Sequence, residues 1–224
     1  MKDQYFGDFG DYQKVSLLKK LQEEKLKVLV HWMKTKDDGG TDGKHITYLE
    51  KSEIWEDFDS DIYEFLKSKM RAGERLLSHI ESSEYCSDIE FLNEYIEDKT
   101  ARRDILQKMI KRDTDVVLFD PDNGIEVAST NNKNVHKYVL WEELIAAYAS
   151  GKSVIVYQHF SRTNREKFIQ EKVTEIKKRI ICSVVSVQVR HSVYFFLIQE
   201  KDKSALTRAI KSFADTWKHL AIVR

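Results

Sequence analysis

The stretch VLFDPDNGIE, residues 117–126, brings Asp120, Asp122 and Asn123 within four positions of one another around Pro121, the one proline of the chain. Two carboxylates and an amide at this spacing admit three readings. One carboxylate can accept a hydrogen bond from an attacking nitrogen and align its lone pair, and positioning of this kind supplies much of such catalysis. Two carboxylates, joined by Glu126 or His159, can hold a hard divalent ion such as magnesium or manganese, which prefers oxygen ligands and activates water. The third reading is a plain turn. Proline favours an extended residue before it and Asn123-Gly124 accepts positive φ, so residues 116–119 and 125–128 would then pair as an antiparallel hairpin.

Three further segments carry chemistry-bearing residues. In YFGDFGDYQK, residues 5–14, the rings of Tyr5 and Phe9 lie in a glycine-rich stretch and can stack on a base or an adenine ring. The bland alternative staples these aromatics to the core, with Asp11 as a helix N-cap. In KDDGGTDGKH, residues 36–45, the glycines Gly39, Gly40 and Gly43 free backbone amides to cradle an anion, with Lys44 and His45 adjoining; a surface loop accounts for the same letters. In VYQHFSRTNR, residues 156–165, His159 can carry a proton or ligate, and Arg162 can meet phosphate. Arg102, Arg103, Lys108, Lys111 and Arg112 form either a phosphate-contacting stripe or a solvated helix face.

The surrounding pattern supplies the elements that must position these residues. Val15, Leu18 and Leu21 at helical spacing predict a helix over 15–24, and KVLVHWM is apolar and β-branched enough for a buried strand. Residues 46–100 are acidic with helical periodicity and no strand punctuation, and ARRDILQKMIKR continues them, so a helical insertion is expected at about 46–112. DVVLFD reads as a strand and KYVLWEELIAAYA as a helix whose C-terminal cap is Gly151. SVIVYQ is a strand, residues 162–179 are a helix, and VVSVQV and SVYFFLIQ are strands joined through Arg190-His191, a link so short that it requires an antiparallel hairpin. A last helix covers about 203–218. The expected fold is α/β in one domain, 1–224: a Rossmann-like open, mostly parallel sheet with helices on both faces and a C-terminal antiparallel β-hairpin. In such a sheet the carboxyl end of DVVLFD faces the ligand crevice.

Composition bounds the partners. Thirty-seven acids balance thirty-seven bases among 224 residues, so only a local patch could attract nucleic acid. Cys86 and Cys182 lie far apart in the sequence and fit a reducing compartment. The polar, aromatic start is unlike a leader and no apolar run is long enough to span a bilayer. The expectation is a soluble cytoplasmic protein with no membrane partner.

With this element order and these segments, the chain resembles the class I S-adenosylmethionine-dependent methyltransferases, whose core is an α/β sheet finished by a β-hairpin. Members that methylate exocyclic amines carry an Asp-Pro-Pro-aromatic loop after the fourth strand, and FDPDNG occupies that place. More closely, the chain is similar to the bacterial large-subunit ribosomal RNA adenine methyltransferases, which carry Gly-x-x-x-Asp-x-x-Lys leading into a helix and a helical insertion between the first and fourth strands. Gly7, Asp11 and Lys14 in GDFGDYQK match the first of these. The likeness covers order and spacing over most of the chain, with few strict residue matches. FGDFGDYQK, DGKH and DPDNG also resemble segments shared by a group of bacterial proteins.

The resemblance implies S-adenosylmethionine as cofactor, held by Asp11, Gly39, Gly40, Gly43, Lys44 and His45, and a nucleic acid base, an adenine amine above all, as acceptor. It assigns catalysis to Asp120, Asp122, Asn123 and Lys14, and substrate contact to Tyr5, Phe9, His159 and Arg162. Two departures keep other readings open. Asp122 and Asn123 stand where the family has proline and an aromatic, so Asn123 can bond to a base edge but cannot stack on it, and HWMKTKDDGGTDG is longer than the family's glycine motif. The alternatives are a metal-dependent nuclease or phosphodiesterase on the same scaffold, using Asp37, Asp38, Asp42, Asp120 and Asp122 with His159, and a non-catalytic interaction module.

Overall fold

The structure, a computed structural model, describes residues 1–36, 45–160 and 163–224. In chain order its elements are α1 (Phe9–Glu23), β1 (Val28–His31), α2 (Ser52–Trp55), α3 (Ser60–Arg71), α4 (Ser78–Glu81), β2 (Ile89–Leu92), α5 (Lys99–Lys111), β3 (Val116–Phe119), β4 (Gly124–Ile125) and β5 (Tyr138–Val139). They continue with α6 (Trp141–Ala149), β6 (Ser153–His159), α7 (Arg165–Arg179), β7 (Ser183–Val189), β8 (Ser192–Ile198), α8 (Lys203–Trp217) and β9 (Ala221–Val223).

Seven of the strands form one sheet in the order β2-β1-β3-β6-β8-β7-β9. The strands β2, β1, β3 and β6 run parallel, β8 is antiparallel to both β6 and β7, and β9 is antiparallel to β7. Strand β7 therefore points with the first four, and the sheet is mostly parallel with an antiparallel hairpin near its C-terminal edge. The apolar runs explain the centre: β1 and β3 are buried along their whole length, as strands covered on both faces must be. Val28, Val30, Val116, Leu118 and Ile155 face α1 and α8, with α3 packed on α1, whereas Leu29, Val117, Phe119, Val154 and Val156 face α5, α6 and α7. Each such side chain contributes about 1.5–3 kcal/mol by leaving water.

Three local readings are corrected. Segment 46–112 is not helical throughout: it holds β2, parallel to β1 at the sheet edge, and α5, the helix that crosses from β2 to β3. Strand β2 spans four residues and exposes Glu90, so neither its length nor its pattern stood out from the helices around it. Residues Tyr138 and Val139 form a ladder with β4 before α6 begins at Trp141, and β9 follows α8. Helix α1 begins earlier than expected, at Phe9, and its N-cap is Asp8, which accepts the Asp11 N–H at 2.9 Å; Asp11 lies inside the first turn.

The hairpin reading of residues 116–128 also fails. Strand β3 is flanked by β1 and β6, while Gly124-Ile125 pairs in parallel with Tyr138-Val139. The loop is instead clamped to the end of β6 by one side chain. Gln158 Oε1 accepts the Ile125 N–H at 2.8 Å, and its Nε2 donates to the Asn123 carbonyl at 2.7 Å. Gly124 makes the close approach possible: its φ is +109°, and a Cβ there would lie 2.2 Å from Gln158. Gly124→Ala is expected to cost about 2–4 kcal/mol in urea denaturation, since both backbone and neighbour oppose the methyl group. A loss below about 0.5 kcal/mol would contradict this clamp.

Candidate active site

Lys14 is the centre of the site. Its ammonium is buried, 2.9 Å from Asp120 Oδ2 and 3.0 Å from Asp11 Oδ1. It also lies 4.9 Å from the Tyr157 ring centre and 5.9 Å from that of Trp32. Burial lowers the proton affinity of the ammonium, but Asp120 and Asp11 outweigh it and hold its pKa well above the ordinary lysine value. Burial pushes the Asp11 carboxyl above its usual range against the pull of Lys14, and Asp11 Oδ2 accepts the Gly7 N–H at 3.0 Å. The segment GDFGDYQK and the end of β3 thus meet at one charge, although 106 residues separate Lys14 from Asp120.

Beside this cluster opens a cleft of about 360 Å³ between the start of α1, Thr47-Tyr48, the end of β6 and the β7–β8 turn. Phe9, His45, Tyr157, His159, Arg190 and His191 line it, and Tyr157 forms the wall toward Lys14. Partial desolvation, then the charge of Lys14, holds the His159 imidazole below its ordinary pKa, although the residue is exposed. A larger cavity, about 880 Å³, lies between α5, α6 and residues 126–136. Of the residues singled out from the sequence, it takes Glu126 and two members of the basic stripe, Arg102 and Arg103, so the smaller cleft is the better candidate.

The predicted site residues divide. Lys14, Asp11 and Asp120 come together, and Phe9, His45 and His159 line the adjoining cleft. Asp120 is only 2% exposed and sits beside Lys14, in the lining of neither cavity rather than at an open crevice. Asp122 contacts the Met1 amino group at 2.8 Å, and Glu126 Oε1 accepts the Trp141 N–H at 2.7 Å. These carboxylates therefore face different donors and do not converge, and no metal-type group of three is found among the described residues. The Asn123 N–H donates to the Lys137 carbonyl at 2.8 Å, while its half-buried side chain has no hydrogen-bond partner among the described residues. Tyr5 packs on the core, away from the cleft lining. Gly39, Gly40, Gly43, Lys44 and Arg162 lie outside the described residues, as do Asp37, Asp38 and Asp42.

The basic stripe on α5 is also not one surface. Arg102 is buried in a two-pronged bond to Glu143, 2.6 Å on each side, and donates to the Val135 carbonyl at 2.9 Å. Lys108 meets Glu94 at 2.8 Å.

Sequence reasoning missed His31 and Arg190. His31 sits inside an apolar run that reads as plain core, and it ends β1 with 1% exposure. Burial first, then the positive charge of Arg102, pushes its pKa down to about 3. Arg190 was read as a hairpin link and contributes a cleft wall; its position in a two-residue turn beside His191 was the available signal.

No family model matches the chain, and no curated protein does. Among solved structures it is similar to the crystal structure of protein LPL1258 from Legionella pneumophila str. Philadelphia 1, of the family model DUF519. That match has 9% sequence identity and a TM-score of 0.44, covering 98% of this chain and 96% of the other.

The His31 shift makes a signed prediction. The unfolded chain takes up the proton near the ordinary value of 6.5 and the folded chain only near 3, so the neutral ring's contribution is complete above 6.5 and is lost as pH falls through that window. Across it, His31 should steepen the fall in stability by about 1.4 kcal/mol per pH unit. His31→Gln should show the shallower decline in denaturation series from pH 6.5 to 4.5; equal slopes would place the ring in a less buried setting.

Proposed function

We propose that this chain is a methyltransferase-like enzyme that uses S-adenosylmethionine to modify a nucleic acid base, with an adenine amine as the acceptor. The observation that carries the reading is the 2.9 Å contact of Lys14 with Asp120, which joins the two segments on which the family resemblance rests.

The residues present fit such a cofactor in their chemistry. Thr35 follows β1 at the carboxyl edge, where open α/β sheets take ligands. Its hydroxyl is buried and has no hydrogen-bond partner among the described residues, so a ribosyl or amino-acid group could satisfy it. Asp11 and Lys14 stand behind this edge, buried and paired with each other, and would hold the start of α1 in place for it. The cofactor, when bound, supplies an electrophilic methyl group.

The chain's own residues orient the acceptor. Asp120 accepts hydrogen bonds, and Lys14 fixes the direction of its carboxylate; an acceptor amine held by the free oxygen would have its lone pair aligned. Asn123, held in place by the Gln158 clamp on its carbonyl, offers an amide to a base edge. Tyr157 keeps water from Lys14 on the cleft side.

Calorimetric titration of the full chain with S-adenosylmethionine and S-adenosylhomocysteine is the test. Saturable binding of both at micromolar levels is expected, weakened at least about tenfold by Lys14→Met. No heat at about 1 mM of either ligand, a level at which even weak binding registers, would overturn the reading.

A further inference from the structure

The turn between β7 and β8 goes against local preference. Val189 pairs with Ser192, leaving Arg190 and His191 as a two-residue loop, and Arg190 takes a φ of +51°. Glycine and asparagine occupy that region readily, whereas a long side chain is strained there. An observed backbone outlier of this sort is a reason to ask what its side chain does.

The side chain is held with care. The Arg190 guanidinium lies 5.0 Å from the ring centre of Phe9 and 4.7 Å from that of Trp55. Phe9 is itself packed edge-on against Tyr48, Trp55 and Trp217, so its position is set by the core. Stacking immobilises the guanidinium plane and leaves its N–H edge for an acceptor. Among the described residues no carboxylate pairs with it. The backbone beneath is fixed as well: the Arg190 carbonyl accepts from Arg165 Nη1 at 2.7 Å, and Arg165 Nη2 lies 3.3 Å from His191 Nδ1.

Around this fixed donor the cleft presents His45, His159 and His191. Asp8 also lines it, with one carboxylate oxygen, Oδ1, accepting the Asp11 N–H at the N-terminus of α1. A rigid fork of unpaired guanidinium donors, flanked by imidazoles in a concave site, matches a tetrahedral oxyanion. A volume of about 360 Å³ admits more than the anion alone.

We propose that this cleft is a phosphate subsite in which Arg190, flanked by His45, His159 and His191, holds the phosphate ester of a nucleotide. The choice of a nucleotide over another phosphate ester rests on the base-modifying reading above. The phosphate contact itself does not, and it is tested without the cofactor.

The experiment titrates the full chain with adenosine, adenosine 5′-monophosphate and a short adenine oligonucleotide, with wild type and Arg190→Gly. The subsite predicts that the monophosphate, the oligonucleotide or both bind wild type at least about tenfold more tightly than adenosine, the worth of a charge-assisted hydrogen bond pair. A monophosphate advantage assigns a terminal phosphate, and an oligonucleotide advantage alone assigns the backbone. Arg190→Gly should erase the advantage while keeping cooperative melting, because glycine accepts the turn's φ. If that variant does not fold, Arg190→Lys, which keeps the charge but not the planar fork, should reduce the advantage. Equal affinity for adenosine and both phosphate esters in wild type, or no binding by any of the three at about 1 mM, overturns the proposal. So does a phosphate advantage that survives in Arg190→Gly. A phosphate advantage without any binding of S-adenosylmethionine keeps the subsite and removes the methyltransferase reading.

Discussion

One buried ammonium governs how helix α1 meets the centre of the sheet. An uncompensated charge in that position costs several kcal/mol, and the cost is met only when both Asp11 and Asp120 stand within bonding distance of Lys14. The requirement sets the rotation and register of α1 against the end of β3. With α1 fixed, Phe9 and Gln13 fall along the cleft, and Gln13 reaches the hairpin, where its Oε1 accepts from Ser192 Oγ at 2.9 Å. The carboxyl edge of the sheet is organised outward from this charge, through α1 to the turn that carries Arg190.

The same edge shows three neighbouring acids turned to three different partners. Each carboxylate after β3 has a different donor: an ammonium for Asp120, the Met1 amine for Asp122, a backbone N–H at the start of α6 for Glu126. A divalent ion needs several oxygens turned to one point, and here the chain turns them apart. Gln158 does the turning, since its hold on Asn123 and Ile125 pulls the loop over the end of β6. The sequence DPDNG is therefore a bridge between strand ends, and its glycine serves a close approach rather than a hairpin.

Much of this fold was legible because the buried strands are continuous apolar runs: VVLF, SVIVYQ and SVYFFLI could be little else, and the Arg190-His191 link forced their last pairing. The meeting of Lys14 with Asp120 was also foreseeable, because the resemblance assigned both to one catalytic centre. What escaped was set by long-range context. IEFL at 89–92 is too short and too half-exposed to show a period. Asp8 and Asp11 are equally good N-caps by letter, and only the burial of Asp11 by Lys14 separates them. Arg102 looked like one of five surface bases because nothing local reveals a glutamate 41 positions away. His31 was hidden by its own apolar neighbours.

The most direct measurement is a double-mutant cycle on Lys14 and Asp120, with Lys14→Met, Asp120→Asn and the pair compared by chemical denaturation. If the ammonium organises the edge, each single change leaves a buried charge poorly paired and costs about 3–5 kcal/mol. The double variant should then cost at least about 2 kcal/mol less than the sum of the two. Additive costs, with a coupling below about 0.5 kcal/mol, would mean that the two groups stand near each other without depending on each other, and would contradict this account.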